Sequence, residues 1–204
     1  MMTYGTVEGT ARPAGRPRSA KADQAIIDAV LDLIGEGVGV SELSIEAIAT
    51  RAGVGKTTIY RRWSNKEDLV VDALAALKAP LPAFPGTSVR DDLILYLNVI
   101  RQESGNPRTR CVMNIAMSEQ DRHPRLAERF HEVAVEPRRA ALRAVLHRGM
   151  ETGEIRRDID VEIAMAVIGG AMVWSLKSVR EAKDLPEDLA ERIVDELMAG
   201  LAGR

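Results

Sequence analysis

The chain predicts an all-α protein, on three observations. Ala, Leu, Glu and Arg, which cost little inside a helix, are abundant, while aromatics make up only 3% of 204 residues. Apolar residues recur at helical spacing in one segment after another, and strand-like alternation bounded by turns is hard to find. Glycines and prolines fall between those segments, where helices stop or start. A hydrophobic content of 46% over this length supports one medium domain or two small ones, each with a real core.

Residues 1–19, rich in Gly, Pro, Thr and Ala, read as a flexible arm. Arg12, Arg16 and Arg18 stand there among prolines, and Gly15-Arg16-Pro17 resembles the core of a minor-groove AT-hook. Ile27, Val30, Leu31 and Ile34 then give a first helix its apolar face, and Gly35, Gly37 and Gly39 stop it. Ile45, Ile48, Ala49 and Ala52 repeat the pattern in a second helix, capped by Ser44 and ended by Gly53. After Gly53-Val54-Gly55, the run from Lys56 to Trp63 buries Ile59 and Trp63 and turns its cationic and hydroxyl side chains outward. A helix, a three-residue turn and a second, basic helix form the layout of a DNA-reading helix-turn-helix. A fourth helix starts after Ser64-Asn65, with Glu67 and Asp68 in its first turn and Leu69, Val70, Ala73 and Leu77 on its buried side. Pro80, Pro82 and Pro85 mark a boundary. Beyond it, helices are expected over residues 91–103, 108–119, 124–135, 137–152, 161–183 and 186–201, with Pro124, Pro137 and Pro186 in first turns.

Ala52-Gly53-Val54, Thr58-Ile59-Tyr60, the aromatic Trp63 and Lys66 together resemble the DNA-binding domain of the TetR (tetracycline-repressor) family, over about a quarter of the chain from Ala20 to Leu69. Two departures stand out. Gly55 occupies the place of the family's usual capping serine, and Arg62-Trp63 replaces its common His-Phe pair. The resemblance implies a DNA-binding domain over residues 20–79, with the fourth helix as connecting lever, and a C-terminal domain over 80–204 for ligand binding and dimerisation. It implies a homodimer that binds a palindromic operator and represses transcription until a small molecule loosens it. By motif match, Lys56, Thr57, Tyr60 and Arg61 face base edges or phosphates, and Ser44, Thr58 and Lys66 sit on the backbone. Because Arg and Lys bind guanine bidentately, Lys56 and Arg61 are the expected sequence readers.

For the C-terminal part the resemblance implies a pocket within the helical bundle, and Asn98, Arg101, Met113, Met117, His131 and Trp174 are the candidates to line it. The scattered methionines point toward a hydrophobic effector. Leu189, Ile193, Leu197 and Leu201 form an apolar stripe on the last helix, and Gly169-Gly170 offers a flat patch for close approach of another helix. Family members pair through a four-helix bundle built from these two helices. A dimer interface is therefore expected here.

Other classes fit less well. RAGVGKTT imitates a nucleotide-binding P-loop, but Thr50 stands where the first glycine belongs and the segment before it has helical periodicity. A helical enzyme could use Glu128-x-x-His131 in a di-iron site, yet His123 and His147 have Gln120 and Ala144, not Glu, three residues before them. No catalytic residue, metal or cofactor is expected. The net charge of -2 conceals an asymmetry: nine Lys or Arg stand against seven Asp or Glu up to Lys66, and nineteen against twenty-three beyond it. The single cysteine, Cys111, fits a reducing cytosol and is expected to be at least half-buried. The N-terminus lacks the apolar core of a signal peptide, and the longest apolar run, 163–174, falls short of a membrane span. A soluble, cytoplasmic protein is expected, with operator DNA, a second copy and an effector as partners and no membrane.

Overall fold

The computed structural model describes residues 20–179 and 184–201. They form α1 (Ala20–Gly35), α2 (Ile45–Ala52), α3 (Lys56–Tyr60), α4 (Lys66–Ala76), α5 (Val89–Gly105), α6 (Pro107–Ser118), α7 (Pro124–Phe130), a π turn (His131–Val135), α8 (Glu136–Thr152), α9 (Val161–Ser178) and α10 (Leu189–Leu201). No strand occurs among the described residues, so the all-α expectation is met. The helix starts are set by local chemistry. Ser44, Asn65, Ser88, Asn106 and Asp160 each accept a backbone amide of the first turn through a side-chain oxygen, a device worth about 1 kcal/mol apiece.

Two apolar cores result. The first joins Ile26, Val30 and Ile34 of α1, Ile48 of α2, Ile59 of α3 and Leu69 and Leu74 of α4. It also contains Val112 and Ala116 of α6 and Leu126 and Phe130 of α7. The second gathers Leu93 and Leu97 of α5, Val145 and Leu146 of α8, Ile168 and Met172 of α9 and Val194 of α10. Thus α6 and α7 pack with the N-terminal helices although they follow the proline-rich segment in sequence. Gly149 sets the closest approach within the second core, since a Cβ there would meet Val89 Cγ2 at 2.7 Å and Ile155 Cδ1 at 2.9 Å.

Four details depart from expectation. The two helices expected over 124–135 and 137–152 are one continuous helical run. Pro137 lacks the amide that would bond back to Val133 and its ring crowds that carbonyl; the π turn immediately before it widens the backbone enough to let the run continue. The last helix starts at Leu189 instead of residue 186, because Leu189 donates to Pro186 O in a preceding turn. The helix expected over 161–183 has Ser178 as its last residue in α9, and 180–183 lie outside the described residues. By length and composition α9 is apolar enough to cross a membrane, contrary to the reading of its apolar run, although Ala164, Met165, Ile168, Met172 and Leu176 are buried in the protein core.

Candidate nucleic-acid interface and effector cavity

The helix-turn-helix is built from caps and two buried anchors. Ser44 Oγ accepts the Ala47 amide at 3.1 Å and starts α2. Gly53 ends it at φ +66, a left-handed conformation that glycine adopts without a Cβ penalty, while its amide bonds back to the carbonyls of Ala49 and Thr50. Gly55 precedes α3 in extended conformation with no side-chain cap. Ile59 is fully buried, and the Trp63 indole packs beside it while donating to Asp72 Oδ2 at 2.8 Å. Arg62 is not part of the exposed face: its guanidinium pairs with Asp23 and donates to the Thr58 carbonyl at 3.0 Å.

With Ile59, Arg62 and Trp63 turned inward, Lys56, Thr57, Tyr60 and Arg61 are left exposed on α3 and its C-cap, and Thr58 is half-buried. Tyr60 is 58% exposed, with its ring open to solvent. The Lys56 ammonium donates to Glu46 Oε2 at 2.7 Å across the turn, and this bond holds the Glu46 carboxyl below the ordinary carboxylate range. The segment RAGVGKTT therefore forms the end of α2, a turn and the start of α3. No strand feeds it, as a nucleotide-binding loop would require.

Lys66 is placed differently from the backbone-contact expectation. Its ammonium donates to the carbonyls of Val40, Ser41 and Leu43 at 3.1, 3.2 and 2.8 Å. An ammonium has three donors, so none is left for a phosphate in this arrangement. Lys66 ties the α1–α2 loop to the start of α4. From the other side, Glu119 at the end of α6 accepts the Val40 amide at 2.7 Å, and the His123 imidazole bonds Ser41 Oγ at 2.9 Å. Arg108 of α6 pairs with Asp28 and Asp32 of α1. Glu119, His123, Asp23 and Asp72 carry no local pattern by which sequence alone could have selected them. Arg12, Arg16 and Arg18 of the expected arm lie outside the described residues.

A cavity of about 270 Å³ lies between α4, α6 and α7. Met113, Met117 and His131 of the expected lining meet there, together with Leu74, Lys78 and Phe130. The other three expected lining residues are elsewhere. Asn98 does not line this cavity, Arg101 donates to the Glu187 carbonyl near α10, and Trp174 is 76% exposed on α9. Periodicity could not separate these residues, because each lies on an amphipathic helix whose inner partner was unknown. Cys111, expected to be at least half-buried, is exposed. Glu128 and His131 belong to no group of three metal-ligating side chains among the described residues.

The α9 surface carries an unanswered apolar stripe. Ile163, Val167, Gly170 and Trp174 follow i, i+4, i+7 and i+11 spacing and are exposed, and a Cβ at Gly169 or Gly170 would meet nothing within 4 Å. On α10, Leu189, Ile193 and Leu197 are half-buried against their own core. The Leu201 side chain lies outside the described residues.

Among the described residues, an all-helical fold with a helix-turn-helix whose second helix exposes basic side chains points to the class of DNA-binding regulators. The comparisons agree: residues 26–73 match the model for bacterial regulatory proteins of the tetR family, and residues 85–197 match that for the tetracyclin repressor-like C-terminal domain. The chain belongs to the tetR family; it is a transcriptional regulator and not an enzyme. It is 32% identical over 165 residues to the HTH-type transcriptional regulator YdeS of Bacillus subtilis (strain 168), covering 79% of this chain and 81% of that one. It is 31% identical over 163 residues to the DNA-binding transcriptional repressor TetR of Mycobacteroides abscessus, covering 78% of this chain and 83% of the relative. The fold is similar to that of the fatty acid degradation regulator FadR from Bacillus halodurans, with a TM-score of 0.67 at 24% identity over 87% of this chain and 98% of that one.

Proposed function

We propose that the protein is a cytoplasmic, effector-responsive repressor that reads a palindromic operator as a homodimer. In this reading residues 20–79 form the DNA-binding domain and 80–204 the effector-binding and dimerisation domain, with an N-terminal arm, residues 1–19, that adds Arg12, Arg16 and Arg18 to the DNA contact. The observation that carries it is the exposed face of α3, where Lys56, Thr57, Tyr60 and Arg61 project while Ile59 and Trp63 anchor the helix. Arg61 and Lys56 are assigned to base edges, with Lys56 exchanging Glu46 for DNA, and Tyr60 to a phosphate. Ser44 and Thr58 complete the backbone contact. The α9 stripe, flanked by α10, forms the two-fold interface that sets the half-sites about 34–36 Å apart. The cavity between α4, α6 and α7 holds the effector.

Fluorescence anisotropy on duplexes tiled from the DNA flanking the gene tests the reading. Arg61→Ala should weaken the preferred duplex by about 1–3 kcal/mol and relax discrimination against single base changes, whereas Tyr60→Phe should weaken all duplexes alike. Undiminished operator affinity in both variants would sink the assignment of the reading face.

A further inference from the structure

Two observations meet at the end of α4. The wall of the cavity contains no carboxylate among the described residues; its one permanently charged side chain is Lys78, and Met113, Met117 and Phe130 supply apolar bulk. Behind Lys78 lies an ion cluster with a surplus of positive charge. The buried Glu103 accepts the Ala79 amide at 2.7 Å and pairs with both the Arg138 guanidinium and, at 3.4 Å, the Lys78 ammonium. One carboxylate thus serves two cations.

The two pairs are unequal. Lys78 makes the longer contact, and its side chain is 27% exposed against 13% for Arg138. Arg138 is further fixed by donating to the Ala79 carbonyl. If Lys78 turned into the cavity, Glu103 would keep Arg138 and the Ala79 amide. It would not become the uncompensated buried charge that makes breaking such pairs costly. Lys78 is therefore the one member of the cluster free to change partners.

We propose that the effector is a small amphipathic organic acid, whose carboxylate takes Lys78 from Glu103 while its apolar body lies against Met113, Met117 and Phe130. The proposal rests on reading the cavity as the effector site. A cationic ligand would face Lys78 with no acid in the wall to answer it, and a neutral apolar one would leave the surplus charge unused. The volume of about 270 Å³ is just below the range of about 300–1,000 Å³ that holds drug-sized ligands, which selects a single ring or short chain for the apolar body. The partner exchange also has a mechanical consequence. Lys78 bonds back to Ala75 at the end of α4, whereas Glu103 belongs to α5 and Arg138 to α8. Drawing Lys78 away from Glu103 removes one of the ties between the end of α4 and the second core, and leaves those through the Ala79 amide and carbonyl.

Calorimetric titration of the full-length protein with 4-phenylbutyrate and its neutral isostere 4-phenylbutanamide tests this. The acid should bind about tenfold or more tightly than the amide, the margin of a hydrogen bond to a charged group. Lys78→Met should erase that margin without weakening the amide, Lys78→Arg should keep it, and Met117→Trp, which fills the cavity, should weaken both ligands. Equal affinities for acid and amide, both weakened by Met117→Trp, would overturn the acid assignment and leave the cavity as effector site. A preference surviving in Lys78→Met would overturn the role of Lys78. Failure of both ligands to bind, or binding indifferent to Met117→Trp, would overturn the proposal together with the cavity reading beneath it.

Discussion

Glu119 at the end of α6 accepts the Val40 amide at 2.7 Å, so a residue that stands between the cavity-lining Met117 and Gln120 holds the loop that leads into the helix-turn-helix, 79 residues upstream. The same α6 presents Met113, Ala116 and Met117 to the cavity. Any shift of α6 on filling the cavity is thus delivered to the α1–α2 loop. A carboxylate bonded to a partly buried amide is worth about 1.5–3 kcal/mol at most, and Glu119→Ala should lower the unfolding free energy by part of that amount in a urea titration. It should also shrink the effect of an effector on operator affinity. Gly39→Ala should act alike, because a Cβ there would lie 2.8 Å from Glu119 Oε1 and push the carboxylate off Val40. Wild-type stability in both variants would show the contact to be incidental.

Lys66 separates a structural lysine from a DNA-contacting one. With its ammonium spread over three loop carbonyls, Lys66→Met should destabilise the N-terminal helices while leaving the salt dependence of operator binding unchanged. A lysine on a phosphate would instead contribute about 0.9 to the slope of log K against log salt. Anisotropy titrations at several salt concentrations read the slope directly, and a decrease of that size would return Lys66 to the DNA interface.

What could be read in advance follows the range of the interactions. The α2–turn–α3 unit is legible because each of its determinants acts within a few residues: Ser44 on Ala47, Gly53 in the left-handed region, Ile59 and Trp63 one turn apart. The docking of α6 on α1 through Arg108 and Asp32, 76 residues apart, leaves no local trace. Pro137 was legible as a first-turn proline, but not the π turn that lets the helix run through it. Periodicity marks Trp174 as apolar surface without saying whether a core or a second chain receives it. Lys78 forms no motif; only its placement between the cavity and Glu103 gives it meaning.

Acid should loosen the α8–α9 junction. Glu162 of α9 accepts Arg143 at 2.8 Å and pairs with Arg139, and the Arg143 hydrogen bond holds its carboxyl below the ordinary range. A carboxyl depressed in the folded state stabilises above its unfolded pKa, about 4.3, and this contribution is lost as pH falls through the folded value. Between pH 6 and 3 the melting temperature of the wild type should therefore fall more steeply than that of Glu162→Gln. Because the pair is exposed and screened, the difference should shrink in 1 M salt. Parallel pH profiles for the two proteins would remove Glu162 from the junction's acid response.

The α9 stripe makes the sharpest demand on assembly. Trp174 is 76% exposed in the protomer, yet an indole carries a large apolar surface that a second chain can bury. Trp174→Glu should leave helicity and the protomer's melting temperature intact, since the side chain supports nothing in its own core, and should convert the dimer to a monomer in sedimentation velocity. Operator affinity should then fall to that of a single half-site, because the two reading helices no longer arrive together. Ile193→Glu should behave differently. Ile193 packs against the second core of its own chain, so a charge there should lower protomer stability whether or not it touches the dimer. A Trp174→Glu protein that remains dimeric would move the two-fold interface off this face of α9.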